Sequence, residues 1–340
     1  MYSFMNDYSE GAYPAILQAL MDSNLEQQAG YGLDKYSQQV ADIMREKTQN
    51  PHAQTFLVTG GTQANLLCLA NLLRPVEAVM CADTGHIYVN EAGAIEATGH
   101  KVVAVPSEQG KVTVAGLTAM LAKFQLLPHV VRIKAVYISN TTEVGTVYSL
   151  SELQAISAFC REHGLYLMMD GARLGSALAS VDNDISLTDL GRLVDVFWFG
   201  GTKMGALFGE AIVINQPKLA EDFGIYLKQH GALLAKGRAL GVQFVTLFKD
   251  DAYLNLCRHA NNMAKQLADG LLAHGCELAY PLQSNQLFVK MPNRLIAKLK
   301  QAFAFYEWQK LDDNHSLVRL VTSWATDEKQ VARFCEMLSQ

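Results

Sequence analysis

The sequence predicts an α/β chain: a large domain with a mostly parallel sheet over residues 1–250, followed by a smaller α+β domain over residues 251–340. Three observations carry this. From about residue 55, strand-like and helix-like segments alternate, the order that parallel βαβ units require. Leu165–Met169 and Val196–Phe199 are short, almost wholly apolar runs, which suit strands buried on both faces of a parallel sheet. A chain of 340 residues accommodates two domains at roughly 100–200 residues each.

The elements follow in order. The first 35 residues are irregular, with glycines and tyrosines as in Glu10-Gly11-Ala12-Tyr13-Pro14 and Gly30-Tyr31-Gly32-Leu33-Asp34. Thr55–Thr59 leads into Gly60-Gly61-Thr62 and an apolar helix through Leu73. Ala78–Ala82 reads as a strand, Ile87–Thr98 as helical, Lys101–Pro106 as a strand, Leu117–Phe124 as a helix and Lys134–Ser139 as a strand. Ser149 and Glu152 then form a capping box. Leu150, Leu153, Ile156 and Phe159 follow at helical spacing, and Gly164 stands where a left-handed residue ends a helix. Polar helical material runs from Lys218 to about Leu272. Leu287–Lys290 and Leu317–Thr322 read as strands, and Val331, Phe334, Cys335 and Leu338 mark a last amphipathic helix. Internal repeats and low-complexity tracts are absent.

Composition excludes several classes of partner. The chain is 50% hydrophobic and 18% charged, which is globular rather than disordered. A net charge of −5 provides no electrostatic footprint for nucleic acid or an anionic membrane. No apolar run approaches the length of a membrane span. Met1–Tyr8 has neither the basic nor the apolar region of a signal peptide. Six scattered cysteines without a C-x-x-C pair read as reduced, packed thiols, with no metal site, and cytoplasm is the expected location.

Several residues are placed for chemistry. Gly60-Gly61-Thr62-Gln63-Ala64-Asn65 lies between a strand and a helix, where free N–H groups and the helix dipole can hold a phosphate; an ordinary βα turn reads equally well. It is neither a Walker loop nor GxGxxG. Asp170, in Met169-Asp170-Gly171-Ala172-Arg173, ends a buried strand, where α/β sheets place their ligands. Such an acid needs a cationic partner, either Arg173 or a cofactor cation. Lys203, in Gly200-Gly201-Thr202-Lys203-Met204-Gly205, follows the next apolar strand. A lysine desolvated there loses proton affinity, as a Schiff-base lysine must, unless it snorkels to solvent. His86 and His129 each read first as structural or surface histidines. Arg319 lies within an apolar strand and wants a carboxylate, from a ligand or from the protein.

This order of features resembles the fold type I pyridoxal-phosphate (PLP) enzymes, and more closely the threonine aldolase group of the β-eliminating lyases. The resemblance covers nearly the whole chain and is weakest after residue 250. Its most specific pieces are Met169-Asp170-Gly171-Ala172-Arg173-Leu174 and Thr202-Lys203. Gly60–Asn65, His86 with Glu91-Ala92-Gly93, Tyr31-Gly32-Leu33-Asp34 and Arg319-Leu320-Val321-Thr322 support it.

The resemblance implies roles. Lys203 carries PLP as a Schiff base, with Thr202 beside it. Asp170 pairs with the ring nitrogen, His86 stacks on the ring, and Gly61 and Thr62 hold the phosphate. Arg173 and Arg319 bind the substrate carboxylate, Asn6 and Tyr31 lie against the substrate, and His129 meets its β-hydroxyl; His129, His86 or a water is the base. Lys236 or Arg238 reaches a neighbouring subunit's phosphate in a homodimer or homotetramer with shared active sites. The chain departs from the family in having Asn6 where a serine is usual and Ser139-Asn140-Thr141-Thr142-Glu143 where a histidine-bearing run is usual. The implied reaction is cleavage of a β-hydroxy-α-amino acid of the threonine or allo-threonine type to glycine and an aldehyde. β-Elimination, racemisation or transamination on the same scaffold, a non-catalytic PLP-fold binding protein, and a nucleotide-binding α/β protein are the alternatives.

Overall fold

The computed structural model describes residues 1–339. The strands are β1 (Tyr2–Ser3), β2 (Gln54–Val58), β3 (Glu77–Ala82), β4 (Lys101–Val105), β5 (Arg132–Ser139), β6 (Tyr166–Asp170), β7 (Val196–Gly200) and β8 (Glu210–Ile214), followed by β9 (Glu277–Leu278), β10 (Gln286–Pro292), β11 (Phe303–Ala304), β12 (Tyr306–Lys310) and β13 (His315–Val321). A seven-stranded sheet has the order β2-β8-β7-β6-β5-β3-β4. Strands β3 to β7 pair in parallel, and β8 runs antiparallel between β2 and β7.

The apolar runs have the expected cause. Leu167, Met169, Phe197 and Phe199 pack into one core on one face of the sheet, while Met168, Val196 and Trp198 pack into a second core on the other. Both faces are covered, so every position along these strands is apolar. β8 is a further such run, Glu210-Ala211-Ile212-Val213-Ile214, buried at every residue.

A third core gathers Leu267, Leu287, Val289, Val318, Leu320 and Phe334 around a smaller sheet of order β12-β13-β10-β9. Phe4 belongs to this core, with its ring 5.6 Å from Phe303 and 5.7 Å from Phe334, and β1 pairs with β11. The first residues therefore pack with the C-terminal part of the chain and not with the large sheet where they were expected. The helix Ala252–Ala273 joins the two parts: Tyr253 and Cys257 face the first core, and Met263, Leu267 and Leu271 face the third.

The capping box of Ser149 and Glu152 is present, and Gly164 is left-handed at φ 63°. The expected helix over 87–98 is two short helices, His86–Val89 and Ala94–Ala97, broken where Ala92 and Gly93 take φ 51° and 76°.

The chain fills positions to one side of β3 with β4, then returns to the other side with β5, β6 and β7. The reversal makes the carboxyl ends of these strands a crevice, the place where open α/β sheets bind ligands.

Candidate active site

The carboxyl edge of the sheet delivers one functional group per strand. His86 follows β3, Glu143 follows β5, Asp170 ends β6 and Lys203 follows β7; the antiparallel β8 starts at this edge with Glu210. The turn after β2 brings Thr59–Thr62. A cavity of about 280 Å³ is lined by Thr59–Thr62, Asn65, His86, Asp170, Trp198, Thr202, Lys203 and Glu210, with Tyr8 on its rim.

Asp170 is 3% exposed. Its Oδ1 accepts from the Ala172 N–H at 2.9 Å; its Oδ2 accepts from Asn65 Nδ2 at 2.8 Å and from the Tyr137 hydroxyl at 2.6 Å. Burial pushes the Tyr137 phenol well above its ordinary range, so it remains a donor. Asn65 also donates to Glu91 Oε1 at 2.8 Å and accepts from Trp198 Nε1 at 3.1 Å. Glu91 Oε1 in turn lies 2.7 Å from His86 Nδ1. On the other side, the His86 N–H and the Ser139 hydroxyl both donate to Glu143 Oε1, at 2.9 and 2.6 Å, and burial raises the Glu143 pKa. The imidazole is thus fixed through its ring nitrogen and its own backbone, and Asp170 sits in the same network.

Arg173 is not the ionic partner of Asp170. Its Nε and Nη2 donate to Asp7 Oδ2 and Oδ1 at 2.7 and 3.0 Å, a bidentate fork on a fully buried carboxylate that Asn285 also supports at 2.9 Å. Burial alone would raise the Asp7 pKa; the charges of Arg173 and Lys203 outweigh it and hold the carboxyl below its usual range. A lowered pKa stabilises the fold above the unfolded value, and this stabilisation is lost as pH falls through the folded value. Asp7→Asn is expected to lower stability by about 3–5 kcal/mol at neutral pH, the scale of a broken buried pair. The difference from wild type should shrink below roughly pH 4. Denaturant unfolding of both proteins across pH measures it, and a gap that is constant down to pH 2 would contradict the assignment.

Lys203 lies in the turn between β7 and β8, and among the described residues no carboxylate comes within ion-pair distance of it. Burial and the nearby Arg173 lower the pKa of its amine. Gly200 must lack a side chain, since a Cβ there would stand 2.4 Å from the Ala172 carbonyl oxygen.

The residues fit PLP on the structure's own terms. The helix Gly61–Leu72 begins from Gly60 with no side-chain cap, which leaves first-turn N–H groups for a phosphate. A Cβ on Gly61 would meet the Trp198 ring at 2.9 Å, so the start of this helix packs directly on the ring that lines the cavity. A buried carboxylate and a proton-shedding lysine share the one cavity.

Arg319, on β13, comes from the smaller sheet. Its Nη2 donates to Gln286 Oε1 at 2.6 Å, and its guanidinium lies 5.4 Å from the Trp308 ring centre. Its Nε is buried with no hydrogen-bond partner. Burial and then the charge of Arg173 lower its pKa to about 10. Arg173 and Arg319 thus feel each other's charge, and only Arg173 is paired with a carboxylate, Asp7, so an added anion is electrostatically favoured beside Arg319.

Other expected positions lie elsewhere. His129 is exposed in the segment before β5, at the amino edge of the sheet, because residues preceding a parallel strand lie opposite those following it. It cannot meet a substrate bound in this chain's cavity. His129→Ala should leave kcat/KM within about twofold of wild type, the scale of a surface change; a tenfold loss in steady-state assays would return it to the site. Tyr31 is exposed, packed beneath the Lys228 amine at 4.7 Å, and outside the cavity. Asn6 Oδ1 closes its own turn, accepting from the Tyr8 N–H and the Ser9 hydroxyl at 3.0 Å each. Lys236 and Arg238 line a separate cavity of about 600 Å³, where Arg238 donates to the Ser23 and Glu26 carbonyls. Sequence reasoning gave no role to Asp7, Tyr137, Glu143, Glu210 or Gln286. Only Glu210, an isolated acid opening an apolar run, carries a local signal.

The family model described as beta-eliminating lyase matches residues 4–303. Low specificity L-threonine aldolases of Pseudomonas aeruginosa and of a Pseudomonas species are 35% and 36% identical over 333 residues, covering 96% of this chain and 94% of each relative. The solved structure of Leishmania major threonine aldolase superposes with a TM-score of 0.98 at 48% identity, covering 100% of this chain and 99% of that one. Thermus thermophilus aspartate aminotransferase superposes with a TM-score of 0.72 at 15% identity, covering 100% and 91%, a likeness of fold alone.

Proposed function

This chain belongs to the β-eliminating lyase family, and from that membership we propose that it is a PLP-dependent aldolase cleaving L-threonine and L-allo-threonine to glycine and acetaldehyde. The observation that carries the reading is the single cavity holding both Lys203 and the triply hydrogen-bonded Asp170. The threonine aldolases among its relatives support the substrate class.

When bound, PLP supplies a protonated ring that accepts the electron pair of the broken Cα–Cβ bond. Lys203 would hold it covalently, Asp170 at the ring nitrogen, and Gly61, Thr62 and the uncapped helix start at the phosphate. Arg319 takes the substrate carboxylate as a charge-assisted hydrogen bond acceptor, with the Asp7-anchored Arg173 adding positive potential. Fixing the carboxylate orients the amino acid within the cavity. His86, held at Nδ1 by Glu91, takes the β-hydroxyl proton on Nε2 as the aldehyde leaves.

A homodimer or homotetramer fits the exposed apolar side chains Leu17, Met21, Leu25, Leu33 and Ile225. A reducing, cytoplasmic setting fits the six free cysteines. Among the described residues, no helix is long and apolar enough to cross a membrane.

Borohydride reduction of the PLP-loaded protein, followed by peptide mass mapping, tests the site. The adduct is expected on the peptide containing Lys203. An adduct on another lysine, or none, would overturn the assignment.

A further inference from the structure

Glu210 is 4% exposed and opens β8 at the edge of the cavity. Both of its oxygens bind the turn that presents Lys203. Oε2 accepts from the Gly201 N–H and Oε1 from the Thr202 hydroxyl, each at 2.9 Å, while Thr202 Oγ1 accepts from the Gly209 N–H at 3.0 Å. One carboxyl therefore ties both ends of the segment 201–209. Only a carboxylate offers an acceptor at both positions, since an amide would turn a donor towards one of these groups; a buried acid without a contacting cation is nevertheless costly. The carboxylate also brings a charge, and the nearby cation that responds to it is Lys203.

We propose that Glu210 is a positioning residue for Lys203: it holds the lysine's turn and sets the pH at which the lysine nitrogen takes its proton. The proposal rests on Lys203 as the anchor of PLP. The groups around the pair come from every neighbouring element. Asp7 and Tyr8 belong to the N-terminal segment, His86 follows β3, Asp170 and Arg173 lie at the end of β6, and Tyr253 comes from the helix Ala252–Ala273. Asp7 and Asp170 also favour the charge on Lys203, but Asp7 is paired with Arg173, and Asp170 is held by three donors and would face the cofactor's ring nitrogen. Glu210 adds to them from the turn that carries the lysine. Burial disfavours the charge on both groups, and each charge favours the other, so the Glu210 anion helps keep the proton on the lysine nitrogen.

The test is a pH titration of the visible absorption band of the PLP-loaded protein. Removing the anion disfavours the protonated nitrogen, so in Glu210→Gln the midpoint should fall by about one pH unit or more. Glu210→Asp, which keeps the charge, should stay closer to wild type. A Glu210→Gln band with an unmoved midpoint overturns the role of Glu210 alone; a loaded wild type with no band at any pH overturns the cofactor reading beneath it. If Glu210→Gln does not fold, infrared difference spectra of wild type decide the matter. A buried carboxylate stretch should shift with the midpoint of the visible band as the neighbouring cation is lost, and its absence overturns the proposal.

Discussion

Lys203→Ala abolishes the visible band of the PLP-loaded protein and lowers kcat by roughly 10³-fold or more, the scale on which removal of a covalent catalytic group acts. The reason is positional. β7 ends on Gly200, and the turn to β8 carries the lysine into a cavity whose burial, with Arg173, strips its amine of proton affinity. Among the described residues, no other lysine lines that cavity. Alanine removes a buried amine that has no ion-pair partner, so the variant should fold at least as stably as wild type. Thermal unfolding beside the activity assay separates the two effects. A variant that retains the band, or more than a tenth of the turnover, would contradict the role.

Arg319→Ala should lower kcat/KM for threonine by about 10²–10³-fold, with much of the loss in KM. A charge-assisted hydrogen bond contributes about 1.5–3 kcal/mol, and a guanidinium fork on a carboxylate makes two. The structure gives Arg319 one neutral partner, Gln286, and leaves its buried Nε without any. Arg319→Lys keeps the charge without the fork and should recover only part of the loss. If Arg319 served only to brace Gln286, the alanine variant would lose stability while KM stayed put.

How much of this was legible depended on range. The buried strands were readable because both of their faces meet apolar cores, so the pattern lies within five residues. Asp170 and Lys203 were readable because each follows such a run at the edge where ligands bind. Arg173 was readable as a cation but its partner was not: Asp7 lies 166 residues away in an irregular segment without periodicity. His129 took its expected substrate role from the resemblance alone; its residue context reads as a surface histidine, and its place before β5 puts it, exposed, at the far edge. The N-terminal strand joins the C-terminal core through β11, a pairing of two residues that no local pattern announces.

The most direct test of the whole account is product analysis with L-threonine and the PLP-loaded protein. Glycine and acetaldehyde in equal amounts, with no ammonia, is the expected result. 2-Oxobutyrate and ammonia instead would show that the same cavity performs β-elimination, and would contradict the assignment of an aldolase.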